Sequence, residues 1–190
     1  MEVEEWKAQI ERERKEKDWF FANHWQSPIP PQDRARFEGL DYYPPDPDYR
    51  FELELHEHDE KKIVRMAYTK GEKRDFIRWG EFRFKVGDEE CVLQAYASDP
   101  GEEQLFVPFR DATSGLETYG AGRYLDLDAG RDRTADGTWI LDFNKAYNPW
   151  CVYSEDYTCP FVPPENWLKV PIRAGEKNYP PKKELVGNTN

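Results

Sequence analysis

The sequence predicts a mainly β fold, an antiparallel β-sandwich or partly open β-barrel with N-terminal helices packed outside. Three observations carry this expectation. About eight short segments alternate apolar and polar residues at strand period, with turn chemistry between them. Helical periodicity is confined to the start of the chain. There is neither an internal repeat nor a strand–helix alternation of the doubly wound type. At 190 residues one domain suffices, and the 15% of aromatic residues supplies the core that a modest aliphatic content does not. The expected organisation is a helical segment over 1–40, an antiparallel β domain over 41–177 and a loose polar tail over 178–190.

Residues 1–22 place Val3, Trp6 and Ile10 at helical spacing, and Glu11–Lys15 and Glu13–Lys17 stand in the favourable i,i+4 order. The charged middle predicts a surface helix with a solvated face, pinned by its aromatic ends, the second being Trp19 to Phe21. Ser27-Pro-Ile-Pro-Pro31 breaks it. Asp33 caps a short helix over 34–38 that Gly39 closes. A rigid Pro-rich loop, Asp41 to Asp48, leads into the alternating segments.

Phe51, Leu53 and Leu55 alternate with Glu52, Glu54 and His56, which is a half-buried strand. Val64, Met66 and Tyr68 follow, then a Lys70-Gly71 turn. Phe82, Phe84 and Val86 lead through Gly87-Asp88 into Cys91–Tyr96, a hairpin signal. Leu105–Phe109, Arg123–Leu127, Thr138–Phe143 and Leu168–Ile172 complete the strands.

The formal net charge is −11, from 27 basic and 38 acidic residues, with no basic face to offset it. A nucleic-acid partner and an anionic membrane surface are therefore disfavoured. The acidic start lacks the apolar core of a secretory signal, and no stretch approaches a membrane span, so a cytoplasmic protein with reduced thiols is expected. No motif names a reaction or a cofactor, and the oligomeric state is not encoded in any legible pattern.

The stretch from Asp142 to Asn166 concentrates carboxylates, asparagines, hydroxyls, prolines and two cysteines in a segment that is mostly neither helix nor strand. On the strand that opens it, Trp139, Leu141 and Phe143 share one side and Ile140, Asp142 and Asn144 the other. Asp142 is thereby a candidate general base and Cys151 a candidate nucleophile. Buried structural thiols are the plainer reading of Cys151 and Cys159, whose spacing does not suit zinc. On another strand Arg123 shares a side with Leu125 and Leu127, so it needs an anion. Gly120 and Gly122 would let backbone amides approach that anion, and Asn144, Asn148 and Asn166 would orient a small anionic ligand. The alternative is an internal pair between Arg123 and Asp111 or Asp142, with asparagines that tie loops. Asp142 is also a candidate metal ligand, and His56 and His58 project from one strand face with Glu52 and Glu54 alongside, as further metal candidates. A solvated face is the preferred reading there.

Several of these segments together resemble a known family of bacterial and archaeal proteins, domain of unknown function 1684. The resemblance lies in Phe37-Glu-Gly-Leu40, Phe109-Arg-Asp-Ala-Thr113 with Gly115, and Thr118-Tyr-Gly-Ala-Gly-Arg-Tyr-Leu125. It continues in Leu141-Asp-Phe-Asn144, Ala146-Tyr-Asn-Pro149, Cys151, Ser154, Cys159-Pro160, Pro163-Pro164, Asn166 and Ala174-Gly-Glu-Lys177. It implies that the polar clusters around Arg123 and from Asp142 to Asn166 belong to one pattern, and it supplies no catalytic roles. Two readings follow: binding or hydrolysis of a small anionic molecule near Arg123 and Asp142, or a structural or interaction module in which these residues form a loop-stabilising network.

Overall fold

A computed structural model of the chain describes residues 1–180. One long helix, α1 (Val3–Asn23), precedes seven strands: β1 (Arg50–Leu53), β2 (His56–Ala67), β3 (Lys73–Val86), β4 (Glu89–Ala97), β5 (Gln104–Phe109), β6 (Arg123–Asp128) and β7 (Trp139–Asp142). Strands β2 to β6 make a five-stranded antiparallel sheet in chain order, and β1 pairs with β7 in a separate antiparallel ribbon. Neither sheet closes. The fold is mixed and strand-rich.

Strand parity decides what each face of the large sheet becomes. Phe82, Phe84, Leu93, Leu105, Val107, Leu125 and Leu127 point to one face, where Trp139 and Leu141 of β7 and Phe51 of β1 cover them. The ribbon and sheet thus share the main core. The intervening residues Met66, Tyr68, Tyr96, Phe106 and Tyr124 lie on the opposite face, where a separate aromatic cluster forms.

The inward stripe of α1 is buried Trp6, Ile10 and Phe21 with half-buried Arg14 and Lys17 between them, the five spaced four, four, three and four residues apart. The charged middle is therefore not wholly solvated. Arg14 stacks on the Tyr42 ring at 4.3 Å and donates to the Tyr43 carbonyl at 2.8 Å. Lys17 reaches the buried Glu176 carboxylate at 2.5 Å. Cations can occupy a helix's inner stripe because each is supplied with acceptors.

Two local expectations change. The short helix after the Pro-rich break is a 3-10 helix, Pro31–Arg36, that begins on Pro31 itself. Residues Leu168–Ile172 form no strand. They run beside 110–112 through Leu168 N to Arg110 O at 2.7 Å and Ala112 N to Val170 O at 3.0 Å, and Pro171 removes the donor a ladder would need next. Of the expected tail, Asn178 donates to the carbonyls of Glu117 (3.1 Å) and Leu116 (3.0 Å), and Tyr179 meets Tyr153 edge to face. Positions 181–190 lie outside the described residues.

Candidate functional site

Strand β7 carries Asp142 and Asn144 outward from its apolar side, and α1 meets them there. The buried Asp142 carboxylate accepts from Trp6 Nε1 at 2.8 Å, from the Asn144 amide N–H at 3.0 Å and from Asn144 Nδ2 at 2.9 Å. Asn144 also exchanges two hydrogen bonds with the Asp46 backbone, at 2.8 and 2.9 Å. The two side chains close the junction between α1, the 41–48 loop and β7.

Arg123 belongs to a different network. It is fully buried and donates to the carbonyls of Ala174, of Ile172 (2.8 Å) and of Glu176 (3.2 Å), with the Asp111 carboxylate 3.6 Å away. Burial lowers the guanidinium pKa from its ordinary value, and Asp111 opposes that shift. Asp111 in turn accepts from Thr113 Oγ1 (2.8 Å), Ser114 Oγ (3.1 Å) and the Ile172 N–H (2.6 Å). The internal pair thus forms with Asp111 rather than with Asp142, and its fork is spent on the 172–176 backbone.

The glycines serve backbone contact. Gly122 has φ +106°, and a Cβ there would lie 2.5 Å from the Phe109 carbonyl, so only glycine lets this loop cross β5. Gly120 passes Gly115 more loosely, its Cβ position 3.6 Å from the neighbouring Cα. Asn166 lies elsewhere, beside β4 and β5. Its side chain takes the Gln94 N–H (2.8 Å) and donates to Gln94 O (3.0 Å) and Pro108 O (2.7 Å). It supplies the pairing that Pro108, lacking an N–H, cannot. Asn148 donates from its backbone to Glu176 Oε1 at 3.2 Å and from its amide to Lys177 O at 3.0 Å.

His58 Nε2 meets Gln94 Oε1 at 2.7 Å, while His56 pairs in register with Glu81. Among the described residues no three His, Cys, Asp or Glu side chains converge as a metal site would require. No helix among the described residues is long and apolar enough to cross a membrane.

The open space lies on the other face of β6. Two concavities, of about 500 and about 630 Å³, share Tyr124, Asp126 and Tyr147 as a common wall. That wall forms because the chain after β7 returns along the free edge of β6: Tyr124 and Tyr147 exchange backbone hydrogen bonds at 2.9 and 3.1 Å, and their rings meet edge to face at 5.8 Å. Tyr124 Oη donates to the Pro160 carbonyl, which fixes the far end of the loop. Tyr147 Oη donates to the Asp126 carboxylate at 2.6 Å. Asp126 opens onto the concavities, yet protein surrounds it closely enough that burial raises its pKa. The Tyr147 hydroxyl, Arg131 and Lys17 oppose that rise.

Other walls are aromatic: Tyr68, Phe76, Tyr96 and Phe106 on one side, Phe20, Phe21, Trp150 and Tyr157 on the other. The nearby cations already have partners, Lys17 on Glu176 and Arg131 on Asp132 at 2.7 Å. Cys159 lines the larger concavity, and Cys151 lies beside it. Asp126, Tyr147 and Lys17 are missing from the sequence-derived site. The available signal was parity, which sets Tyr124 and Asp126 opposite the leucines of β6; nothing in the sequence shows that this face is concave.

The family model described as Protein of unknown function (DUF1684) matches residues 35–177. Comparison with curated proteins finds no match. Among solved structures, the chain is similar to the solution NMR structure of an uncharacterized protein from Haloarcula marismortui. The two are 40% identical over 92% of this chain and 95% of that one, with a TM-score of 0.69. The chain belongs to the DUF1684 family of proteins of unknown function.

Proposed function

We propose that the protein binds a small amphipathic molecule on the Tyr124–Asp126–Tyr147 wall, and that the network of Arg123, Asp142, Asn144, Asn148 and Asn166 is the scaffold that holds this wall in place. The observation that carries the reading is the solvent-accessible Asp126 carboxylate, held by the Tyr147 hydroxyl between two aromatic concavities. Their volumes fall in the range of small-molecule sites, and a few polar groups amid apolar walls are the usual design of such sites. A titratable group perturbed by desolvation inside a cleft is a further mark of function.

The local charge selects the ligand class. Lys17 and Arg131 are neutralised by their own carboxylates, so Asp126, joined by Asp128 in the smaller concavity, leaves negative charge facing the open space. Aromatic faces attract cations through their ring quadrupoles. An organic amine with an aromatic or aliphatic body suits this wall better than the small anion expected near Arg123, whose two Nη groups are engaged by backbone carbonyls. The structural reading of the polar clusters therefore applies to Arg123 and its neighbours, and binding shifts to the other face of β6.

Ligand-observed NMR with a matched pair, tyramine and 4-hydroxyphenylacetate, tests this. Saturation transfer to tyramine that is lost in Asp126→Asn, with none to the acid, supports the reading. Equal transfer to both compounds, or tyramine binding unchanged in the variant, overturns it.

A further inference from the structure

We propose that Cys159 and Cys151 form a dithiol redox pair, with Cys159 as the attacking sulfur and Cys151 as the resolving one, that reacts with small organic disulfides reaching it through the larger concavity. All three cysteines are free thiols. Cys159 Sγ accepts the Cys151 backbone N–H at 3.4 Å, and Cys159 lines the larger concavity. The Cys159 sulfur thus lies against the Cys151 backbone although seven residues separate the two cysteines.

The backbone around the pair is pinned. Cys159 N donates to Thr69 Oγ1 at 3.2 Å and its carbonyl accepts from Thr69 N at 3.1 Å, which clamps it to the β2–β3 turn. Cys151 sits in the 3-10 turn Trp150–Val152 and contacts the Tyr119 hydroxyl.

The hydrogen bonds are asymmetric, and so are the roles. The Cys151 thiol, with the backbone amides of Cys151 and Trp150, lowers the Cys159 pKa to about 6 against the opposing effect of burial. Cys151, as the donor, is pushed up and stays protonated. Thiolate character at one sulfur beside a second thiol is what disulfide exchange requires. Cys91 makes the contrast: it is as buried as Cys159, but on β4 it has no thiol neighbour, and burial raises its pKa.

The chemistry balances with a disulfide RSSR as oxidant. The Cys159 thiolate attacks one sulfur of RSSR, the S–S bond breaks, and RS⁻ leaves with the electron pair. Cys151 then loses its proton to RS⁻ and attacks Cys159 Sγ. The second RS⁻ departs and takes a proton from solvent, leaving an intramolecular disulfide and two RSH. Two electrons pass from the dithiol to RSSR. The proposal needs only the sulfur pair and an open approach, so it stands apart from the amine-binding reading.

The test uses the full chain and 2-hydroxyethyl disulfide, with acid quenching, alkylation and tryptic mapping. Cys151 and Cys159 fall together between Lys145 and Lys169 with no Lys or Arg between them, and Cys91 falls in another peptide. The expected result is that the first peptide loses two hydrogens and escapes alkylation at least about ten-fold faster than Cys91 reacts. Cys151→Ser should instead retain a stable mixed disulfide on Cys159, and Cys159→Ser should leave Cys151 unreacted. Equal reactivity of Cys91, a first adduct on Cys151, or no loss of hydrogens in the wild-type peptide overturns the assignment. The wild-type time course decides the matter even if a variant misfolds.

Discussion

Replacing Arg123 by alanine separates a scaffold residue from a ligand clamp. In the structure its guanidinium answers three carbonyls, those of Ile172, Ala174 and Glu176, and faces the buried Asp111 carboxylate at 3.6 Å. Truncation would leave all four acceptors short of a partner inside the core, and Asp111 would keep only its hydroxyl and amide donors. Removing one member of a buried ion pair costs about 3–5 kcal/mol. That is a large part of the ~5–15 kcal/mol that holds a typical domain together. At about 2–4 °C per kcal/mol for a chain of this size, Tm should fall by roughly 6–20 °C. Calorimetry or chemical denaturation reads this directly. Arg123→Lys should recover only part of the loss, because an ammonium cannot reproduce a planar fork aimed at three fixed carbonyls. Asp111→Asn should couple to Arg123→Ala by more than about 0.5 kcal/mol in a double-mutant cycle. A stable Arg123→Ala protein, within ~1 kcal/mol of wild type, would refute the scaffold assignment and return Arg123 to the list of free anion-binding groups.

Three other outcomes are expected. Asn166→Ala should cost about 1–3 kcal/mol in denaturant melts, since Gln94 and Pro108 lose their partner where β4 and β5 diverge. Gly122→Ala should destabilise more than Gly71→Ala: both have positive φ, but a Cβ at Gly122 meets the Phe109 carbonyl at 2.5 Å while Gly71 faces open space. Equal melts of the two would contradict the close-approach account. Asp126→Asn should raise stability at neutral pH. A carboxyl with a raised folded pKa binds more protons folded than unfolded, so it detracts from stability as pH climbs from the usual carboxylate range through the raised value. The difference between wild type and variant in pH-dependent melts should therefore vanish in acid and be full at neutral pH.

Much of the β architecture was legible because strand parity needs only local sequence. Leu125 and Leu127 face the core with Arg123, Trp139 and Leu141 face it from β7, and Asp142 joins Asn144 on the far side, as period-two alternation requires. The helix was legible from Trp6 and Ile10, but the continuation of its buried stripe through Arg14 and Lys17 was not, since charged residues read as solvated until their acceptors are seen. Those acceptors, the Tyr43 carbonyl and Glu176, lie far along the chain. The same distance hid the partners of Arg123, which are backbone carbonyls about fifty residues away and carry no side-chain signature. Leu168–Ile172 alternates like a strand, yet Pro171 and the neighbouring 110–112 segment hold it as irregular chain. The concavity arises where Tyr147 returns along β6, and such a tertiary juxtaposition leaves no periodic trace.

The central claim is that Asp126 is the charged contact of a small-molecule site. Carbon-detected NMR of its side-chain carboxyl across a pH series, with and without tyramine, tests it most directly. Free protein should show Asp126 titrating above the usual aspartate value, and tyramine should move that midpoint downward, because a bound cation favours the ionised carboxylate. A midpoint at or below the usual value in the free protein, or one that tyramine leaves in place, would contradict the account.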